Sequence, residues 1–383
     1  PYLYTLLGDA YRKLLNGTEA YKAYQKALNA DDKYAAAYYQ MGKIFVTQNN
    51  PRLYVDLFQK AIAADPNYAP ALYELYYYEF NRDAAKAMEY YKSYVARSDA
   101  SAQREYDMID LLYLNKNYEQ AAKQARQLIA AEGQNVKPRI YKLVGYSLAA
   151  LKDTQQAITY MQSYFSAETD SNEIAKDYET MADLYVATGE KQDSAMAYYE
   201  KSLMMEQDSA IVYETYKKLG ELSKQLENYE AHANWLGKYY AGNKEATNVD
   251  LFNWALAWYR AEDYVMADSV FGMYTMKYPE QSYGYYWQAK SQALQDSTME
   301  KGLAVPTYQK LIEVLQTDTA NANYKKWMIE AYGYLAAFEA NTEKDYTESI
   351  GYFEKVLEID AENADAKKYI SILEKDLANK EKK

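Results

Sequence analysis

The chain has 383 residues and a net charge of −12 at pH 7; 47 of its residues are tyrosine and none is cysteine. Single hydrophobic cores stop growing beyond about 250–300 residues, so this length predicts several domains or a repeat array. The acidic charge, without a basic stripe, disfavours nucleic acid binding, and the lack of cysteine excludes disulfides, thiolate catalysis and cysteine-based zinc sites. No apolar run approaches the ~18 residues that a membrane span needs.

The first residues of the chain contain a pattern that recurs along it. Gly8 lies in one periodic apolar segment and Ala20 in the next, and the unit ends in "ADDKY". Thirty-four residues further on, Gly42 takes the position of Gly8, and that unit ends in "ADPNY". The spacing predicts two helices in each unit, which cross closely at the small residues. Asp or Pro in the closing turn ends the second helix.

Similar units follow in chain order, with two departures. The third unit is one residue short between its helices and has Glu79 where an aromatic residue is expected. The ninth carries three extra residues in "LQDSTMEKGLAVP", which predicts a wider loop between its helices. The tail predicts one amphipathic helix with Ala366 and Leu373 on its apolar face. The predicted segments are repeat units near residues 1–34, 35–68, 69–101, 102–137, 138–173, 174–209, 210–247, 248–281, 282–322 and 323–362, and a capping helix with a polar tail at 363–383.

The repeated "A-x-x-x-[FY]-x-x-A" run followed by "DP" or "DD" resembles the tetratricopeptide repeat, a helix–turn–helix unit. With its tyrosine content, the chain is similar to large bacterial tetratricopeptide repeat proteins of the cell envelope. The resemblance implies an all-α fold over residues 1–362, a right-handed superhelical solenoid of about ten units. One unit cannot bury its own apolar face, so neighbouring units must stack.

The stretch "LYELYYYEF" places two apolar faces on one predicted helix. Leu72, Leu75 and Tyr76 match the packed layer of the first unit, whereas Tyr73, Tyr77 and Phe80 share another face. In tetratricopeptide repeat proteins this second face lines a concave groove. The residues that the resemblance places in the groove are Tyr39, Lys43, Tyr73, Tyr77, Phe80, Tyr146, Phe252, Tyr259, Tyr283 and Tyr286.

The tyrosines of this face have two interpretations, and the sequence leaves both open. A two-layer solenoid keeps every side chain near water, and tyrosine suits such positions because its ring packs while its hydroxyl stays solvated. Tyrosine also offers a large contact area to a ligand at low entropy cost. The rings are therefore either packing residues or ligand contacts.

The sequence predicts no catalytic site, no cofactor and no metal site. His232 is the only histidine, and it replaces the small residue at the helix crossing of its unit, where we expect it to pack. Without a second histidine or a cysteine there is no Ser–His–Asp or Cys–His set, and phosphate-loop and metal motifs are missing. Thr5, Asp9 and Lys43 do not supply the basic and amide set by which some tetratricopeptide repeat proteins clamp a terminal carboxylate.

Asp-Ser or Asp-Thr followed by a small or aliphatic residue occurs five times. This looks like the O-glycosylation pattern of some Gram-negative envelope proteins, which would place a sugar on surface loops. The alternative is that these pairs are ordinary caps and turns. The candidate acceptors are Ser194, Ser209, Ser269, Ser297 and Thr319.

The sequence as a whole predicts a non-catalytic scaffold that binds a peptide or helix of another protein in its groove. The alternatives are a glycan-binding groove and a self-assembly module, and the oligomeric state stays open. We expect the periplasm or cell envelope, with the cytoplasm as the alternative. The chain begins inside a periodic segment without an initiator Met, so we also expect sequence upstream of it.

Overall fold

The computed structural model describes residues 1–99, 101, 103–168 and 172–380, with Lys380 described only by its backbone. The chain forms two compact units, Pro1–Tyr198 and Tyr199–Lys383. Across the described residues the secondary structure is 21 α-helices, one 3-10 turn and one π turn, without a β-strand. Within that part of the chain, no helix combines the length and apolarity needed to cross a bilayer.

The first compact unit is a run of antiparallel helices in which each packs on the next as far as α11. The connections between helices are short, as expected for helix–turn–helix units. The helices are α1 (Tyr2–Lys13), α2 (Gly17–Ala30), α3 (Ala35–Thr47), α4 (Pro51–Ala64), α5 (Ala69–Glu79), α6 (Ala84–Val95), α7 (Gln103–Leu114), α8 (Tyr118–Glu132), α9 (Arg139–Ala150), α10 (Thr154–Ala167) and α11 (Ala175–Thr188).

The second compact unit repeats this arrangement, and α12 (Gln192–Met205) contains the boundary between the two units. From α13 onward each helix again packs on its successor. The helices are α13 (Ser209–Gln225), α14 (Tyr229–Gly242), α15 (Asn248–Arg260), α16 (Tyr264–Lys277), α17 (Ser282–Gln295), α18 (Val305–Thr317), α19 (Tyr324–Phe338), α20 (Tyr346–Ile359) and α21 (Ala364–Lys380).

The turn inside a repeat has a recurring construction. A non-glycine residue adopts a positive φ, such as Leu15 at 58°, and the following Asn or Asp caps the second helix. Asn16 accepts a hydrogen bond from the backbone N–H of Glu19 at 3.1 Å, which satisfies one of the free donors at the start of α2. The same pair of features precedes α10 at Lys152 and Asp153. The turn therefore ends the first helix and caps the second within a few residues.

The small residues at the helix crossings are required by packing, as the sequence predicts. A Cβ atom on Gly42 would lie 2.5 Å from Phe58 Cε1, and one on Gly8 would overlap the ring of Tyr24. Ala20 is fully buried. First helices of successive repeats also touch, namely α1 with α3, α7 with α9, α9 with α11 and α15 with α17. The predicted all-α solenoid of helix–turn–helix units is confirmed; its handedness and its exact repeat borders stay predictions.

The two departures and the tail each have a structural counterpart. Glu79 is buried at the end of α5, and its Oε1 lies 2.8 Å from Lys86 Nζ, so an ion pair stands where an aromatic ring was expected. The loop from Asp296 to Ala304 accommodates the insertion of the ninth unit. The tail forms α21, which buries Ala366 and Leu373, so the predicted amphipathic helix is confirmed.

Candidate functional site

The predicted groove residues differ widely in exposure. Tyr73, Tyr77 and Tyr283 are 40%, 69% and 44% exposed, whereas Tyr286 is 5% exposed. The remaining six are half-buried: Tyr39, Lys43, Phe80, Tyr146, Phe252 and Tyr259. Two of the three exposed rings lie on one helix, α5, in the first compact unit.

Helix α5 separates its tyrosines by face. Tyr76 is buried, and its ring centroid lies 4.7 Å from that of Tyr91 on α6. Tyr77 is the next residue, about 100° further around the helix, and it points to solvent. Tyr73 lies one turn before Tyr77, with its ring centroid 5.2 Å from that of Tyr94. We call Tyr73 and Tyr77 the tyrosine surface.

Two ion pairs join first helices of successive repeats in the first compact unit. Lys43 Nζ lies 2.6 Å from Glu74 Oε1, which links α3 to α5. Arg139 Nη1 lies 2.6 Å from each carboxylate oxygen of Asp110, which links α9 to α7. Burial raises the pKa of Asp110 and Arg139 opposes that rise. The charge of Lys43, a predicted groove residue, is thus already matched by Glu74.

Asp107 on α7 is the exception among the acids near the tyrosine surface. It accepts a hydrogen bond from Gln103 Nε2 at 2.7 Å and has no ion pair with a described residue. Burial, and then the nearby charge of Asp107, raises the pKa of Tyr73. An uncompensated carboxylate therefore lies close enough to the tyrosine surface to influence it.

The half-buried groove residues of the first compact unit are held by packing or hydrogen bonds. The ring of Tyr39 lies 5.7 Å from Phe58 and 5.6 Å from Tyr68, measured between centroids. The Tyr146 hydroxyl donates to Asp177, which is fully buried and lies 3.1 Å from Lys142 Nζ. Burial and the charge of Asp177 raise the pKa of Tyr146. These residues stabilise the stack and offer a ligand little free surface.

In the second compact unit the predicted groove rings form an aromatic cluster with their neighbours. Tyr286 stacks on Trp327 with 4.3 Å between ring centroids, and its hydroxyl donates to Glu330 at 2.9 Å. Tyr283 meets the same tryptophan edge-on at 4.9 Å, and Tyr259 meets Trp287 at 4.9 Å. Tyr286 is thus part of the hydrophobic core, and we leave it out of the proposed site.

His232 packs at the helix crossing, as the sequence predicts. It is buried, and its Nδ1 lies 2.8 Å from the carbonyl oxygen of Gly220. A carbonyl only accepts hydrogen bonds, so Nδ1 carries the proton. Burial lowers the pKa of His232, which favours the neutral ring. Across the described residues, no group of three or more His, Asp and Glu side chains could hold a metal ion.

The candidate glycosylation acceptors are not all on loops, contrary to expectation. Ser194 lies in the first turn of α12, Ser209 is the first residue of α13, and Ser269 lies within α16. Ser297 and Thr319 lie in exposed segments between helices. Asp208 accepts a hydrogen bond from the backbone N–H of Ala210 at 2.8 Å, which is the capping role of the alternative interpretation.

Residues 1–34 match the tetratricopeptide repeat family. The predicted resemblance is confirmed. The matched stretch contains α1, α2 and the turn that closes the first repeat. A comparison with curated protein sequences gives no significant match. Stacks of such helical repeats commonly present extended surfaces for binding other proteins.

Solved structures of helical repeat proteins resemble the chain at low superposition scores. The C-terminal part of a tetratricopeptide repeat protein from Cytophaga hutchinsonii is 24% identical, covers 69% of this chain and 98% of its own, and has a TM-score of 0.39. A tetratricopeptide repeat protein from Parabacteroides merdae is 15% identical, with coverages of 56% and 82% and a TM-score of 0.35. YrrB, a tetratricopeptide repeat protein with an unusual peptide-binding site, is 13% identical, with coverages of 51% and 98% and a TM-score of 0.39. Scores of this size support no transfer of function.

Proposed function

We propose that the chain is a non-catalytic scaffold and that its tyrosine surface anchors an extended segment or a helix of another protein. The observation that carries this proposal is the exposure of Tyr73 and Tyr77, 40% and 69%, on a first helix of the stack. Helix α5 is joined to the preceding first helix, α3, by the ion pair between Glu74 and Lys43. The tyrosine surface belongs to the set of residues that the resemblance assigns to the binding groove, and its exposure supports that assignment.

The pairing of the surrounding charges determines the kind of contact that a partner makes. Lys43 and Arg139 are already matched by Glu74 and Asp110, so a ligand that used these charges would first have to break an internal ion pair. Tyrosine rings present apolar faces and a hydroxyl without such a cost. A partner therefore docks an apolar or aromatic side chain on Tyr73 and Tyr77 and hydrogen-bonds to their hydroxyls.

Two other roles compete with this proposal. A glycan-binding groove would need several free polar side chains beside each ring, whereas Glu74, the residue after Tyr73, is already paired with Lys43. Self-assembly would bury the same rings against a second copy. We place the protein in the periplasm or cell envelope on the resemblance alone, with the cytoplasm as the alternative.

Selection of peptides from a random display library on the wild-type chain tests the proposal. We expect selected peptides to bind the Tyr73→Ala/Tyr77→Ala variant at least ~10-fold more weakly, because central aromatic anchors contribute about 2 kcal/mol or more to binding. The matched control is Tyr4→Ala/Tyr369→Ala, which removes two tyrosines of 43% and 44% exposure on α1 and α21. Equal binding to the double variant and the wild type would contradict the proposal. Sedimentation of the wild-type chain alone shows whether it self-assembles.

A further inference from the structure

Helix α16 in the second compact unit has two apolar sides. Its inner side is buried and contains Ala267, Phe271 and Tyr274. Its outer side is exposed and is apolar except at Ser269, and we call it the methionine face. The methionine face consists of Val265, Met266, Ser269, Met273 and Met276. A helix that is apolar all round is normally buried all round, so one side of α16 lacks the cover that its sequence calls for.

The methionine face differs from the outer sides of the second helices in the repeats before and after it. Val265 is 64% exposed and Met276 is 85% exposed. On the other two helices, α14 and α18, the long exposed side chains are polar: Glu230, Asn234, Lys238, Gln309, Lys310, Glu313 and Gln316. Exposed apolar patches with a polar rim mark surfaces that bind proteins, and methionine is enriched in such contacts. The repeat fold alone therefore does not account for the methionine face.

The two ends of the methionine face carry opposite charges. Glu262 lies in the turn before α16 and lines one pocket together with Val265, whereas Lys277 is the last residue of the helix. Both charged side chains are exposed. Lys277 Nζ donates to the hydroxyl oxygen of Tyr240 at 3.3 Å, and neither Lys277 nor Glu262 forms an ion pair with any residue that the structure describes. Each charge is thus available to a partner.

We propose that the methionine face binds a second copy of this chain, with the two α16 helices antiparallel about a two-fold axis. A two-fold axis brings the same patch of each copy into contact, so that patch must be complementary to itself. The antiparallel arrangement meets this condition for charge, because Lys277 of each copy then lies beside Glu262 of the other. Two equivalent ion pairs result, one at each end of the contact.

The sizes of the side chains also fit an antiparallel contact. Ser269 and Met273 lie one turn apart near the middle of the methionine face. When two such faces meet antiparallel, the methionine of each copy packs over the serine of the other, which lets the two helices approach closely. Val265 and Met266 then face Met276 at both ends, and methionine side chains adapt to the gaps that remain. The polar side chains of α14 and α18 form the rim of the contact.

Sedimentation velocity of the full chain at concentrations between about 1 and 100 μM tests the proposal. We expect a monomer–dimer equilibrium with a Kd on the order of 10 μM, because a contact centred on one helix is smaller than a standard protein interface. Met273→Glu/Met276→Glu should raise this Kd at least ~10-fold, because it buries unpaired charges in the contact. The matched control is Met204→Glu/Met205→Glu on α12, which changes methionines of 86% and 45% exposure, against 85% and 45% for Met276 and Met273. The control should dimerise like the wild type.

Charge reversal tests the antiparallel arrangement. Lys277→Glu and Glu262→Lys should each raise the Kd of the dimer several-fold, because each places like charges side by side at both ends of the contact. Glu262→Lys/Lys277→Glu should restore the Kd, because reversing both charges makes the two pairs attractive again. Circular dichroism of each variant first shows that its helical content is unchanged.

The tyrosine surface lies in the other compact unit, so Tyr73→Ala/Tyr77→Ala should dimerise like the wild type. Loss of the dimer in that variant would assign self-assembly to the tyrosine surface and overturn the proposal. A wild-type chain that stays monomeric at all these concentrations would also overturn it and leave the methionine face to a different polypeptide. Equal losses in Met273→Glu/Met276→Glu and its control, or no recovery on the double charge reversal, would contradict it as well. None of these results bears on the peptides that the tyrosine surface selects.

Discussion

The tyrosine surface of the first compact unit and the aromatic cluster of the second begin from similar sequence signals but end in different environments. Tyr73 and Tyr77 are exposed on α5, and the next first helix, α7, presents Asp107 near them. Tyr286 and Tyr283 lie on α17, and the next first helix, α19, presents Trp327, on which both rings pack. The ring that the neighbouring repeat supplies thus buries Tyr286 by stacking, whereas Tyr283, which meets the same ring edge-on, stays 44% exposed.

The largest expected effect is a difference in the free energy of unfolding between variants of two adjacent residues of α5. Tyr76→Ala should lower the free energy of unfolding by about 3–5 kcal/mol, because it leaves a cavity beside Tyr91. Tyr77→Ala should change it by less than about 0.5 kcal/mol, because its ring is mostly in solvent. Urea unfolding followed by circular dichroism measures both. Similar losses in the two variants would mean that Tyr77 is a packing residue and that the comparison fails.

Chemical modification sharpens the comparison between the two regions. Under limited nitration of the native chain, Tyr77 should react first, Tyr73 and Tyr283 several-fold more slowly, and Tyr286 last, in the order of their exposed surface. Peptide mapping by mass spectrometry after brief reaction gives the order. Urea-unfolded chain, in which all four rings are accessible, is the control. Early modification of Tyr286 would contradict its stacking on Trp327.

A smaller effect is expected from alkaline pH. Burial raises the pKa of Tyr68 to about 12, and burial also raises the pKa of Tyr76 and Tyr91. A tyrosine whose folded pKa is raised stabilises the fold fully below the unfolded pKa near 10, and that contribution is lost as pH rises toward the folded pKa. Stability should therefore fall between about pH 10 and pH 12. Thermal unfolding across this range, with tyrosine ionisation followed at 295 nm, measures it. A melting temperature that stays constant while the tyrosines ionise would contradict the prediction.

Much of the fold could be predicted from the sequence because its signals are local. The helix periodicity, the small residue at Gly42 and the apolar face of α21 each depend on residues within one repeat. His232 could also be placed, since it occupies a position defined by the repeat. The resemblance to the tetratricopeptide repeat rests on the same local pattern, and the family match covers the first copy of it.

The candidate sites could be predicted only in part because they depend on contacts between repeats. The pairing of Lys43 with Glu74 joins two helices from different repeats, and no pattern within one repeat indicates it. The ion pair of Glu79 with Lys86 and the hydrogen bonds of Asp296 to its own loop are likewise visible only in three dimensions.

The most direct test compares the two regions with one ligand. A peptide selected on the wild-type chain would be titrated in parallel against Tyr73→Ala/Tyr77→Ala and against Tyr283→Ala, each shown by circular dichroism to keep its helical content. If the tyrosine surface is the binding site, Kd should rise at least ~10-fold for Tyr73→Ala/Tyr77→Ala and less than about twofold for Tyr283→Ala. A larger loss for Tyr283→Ala, or no loss for Tyr73→Ala/Tyr77→Ala, would contradict that assignment.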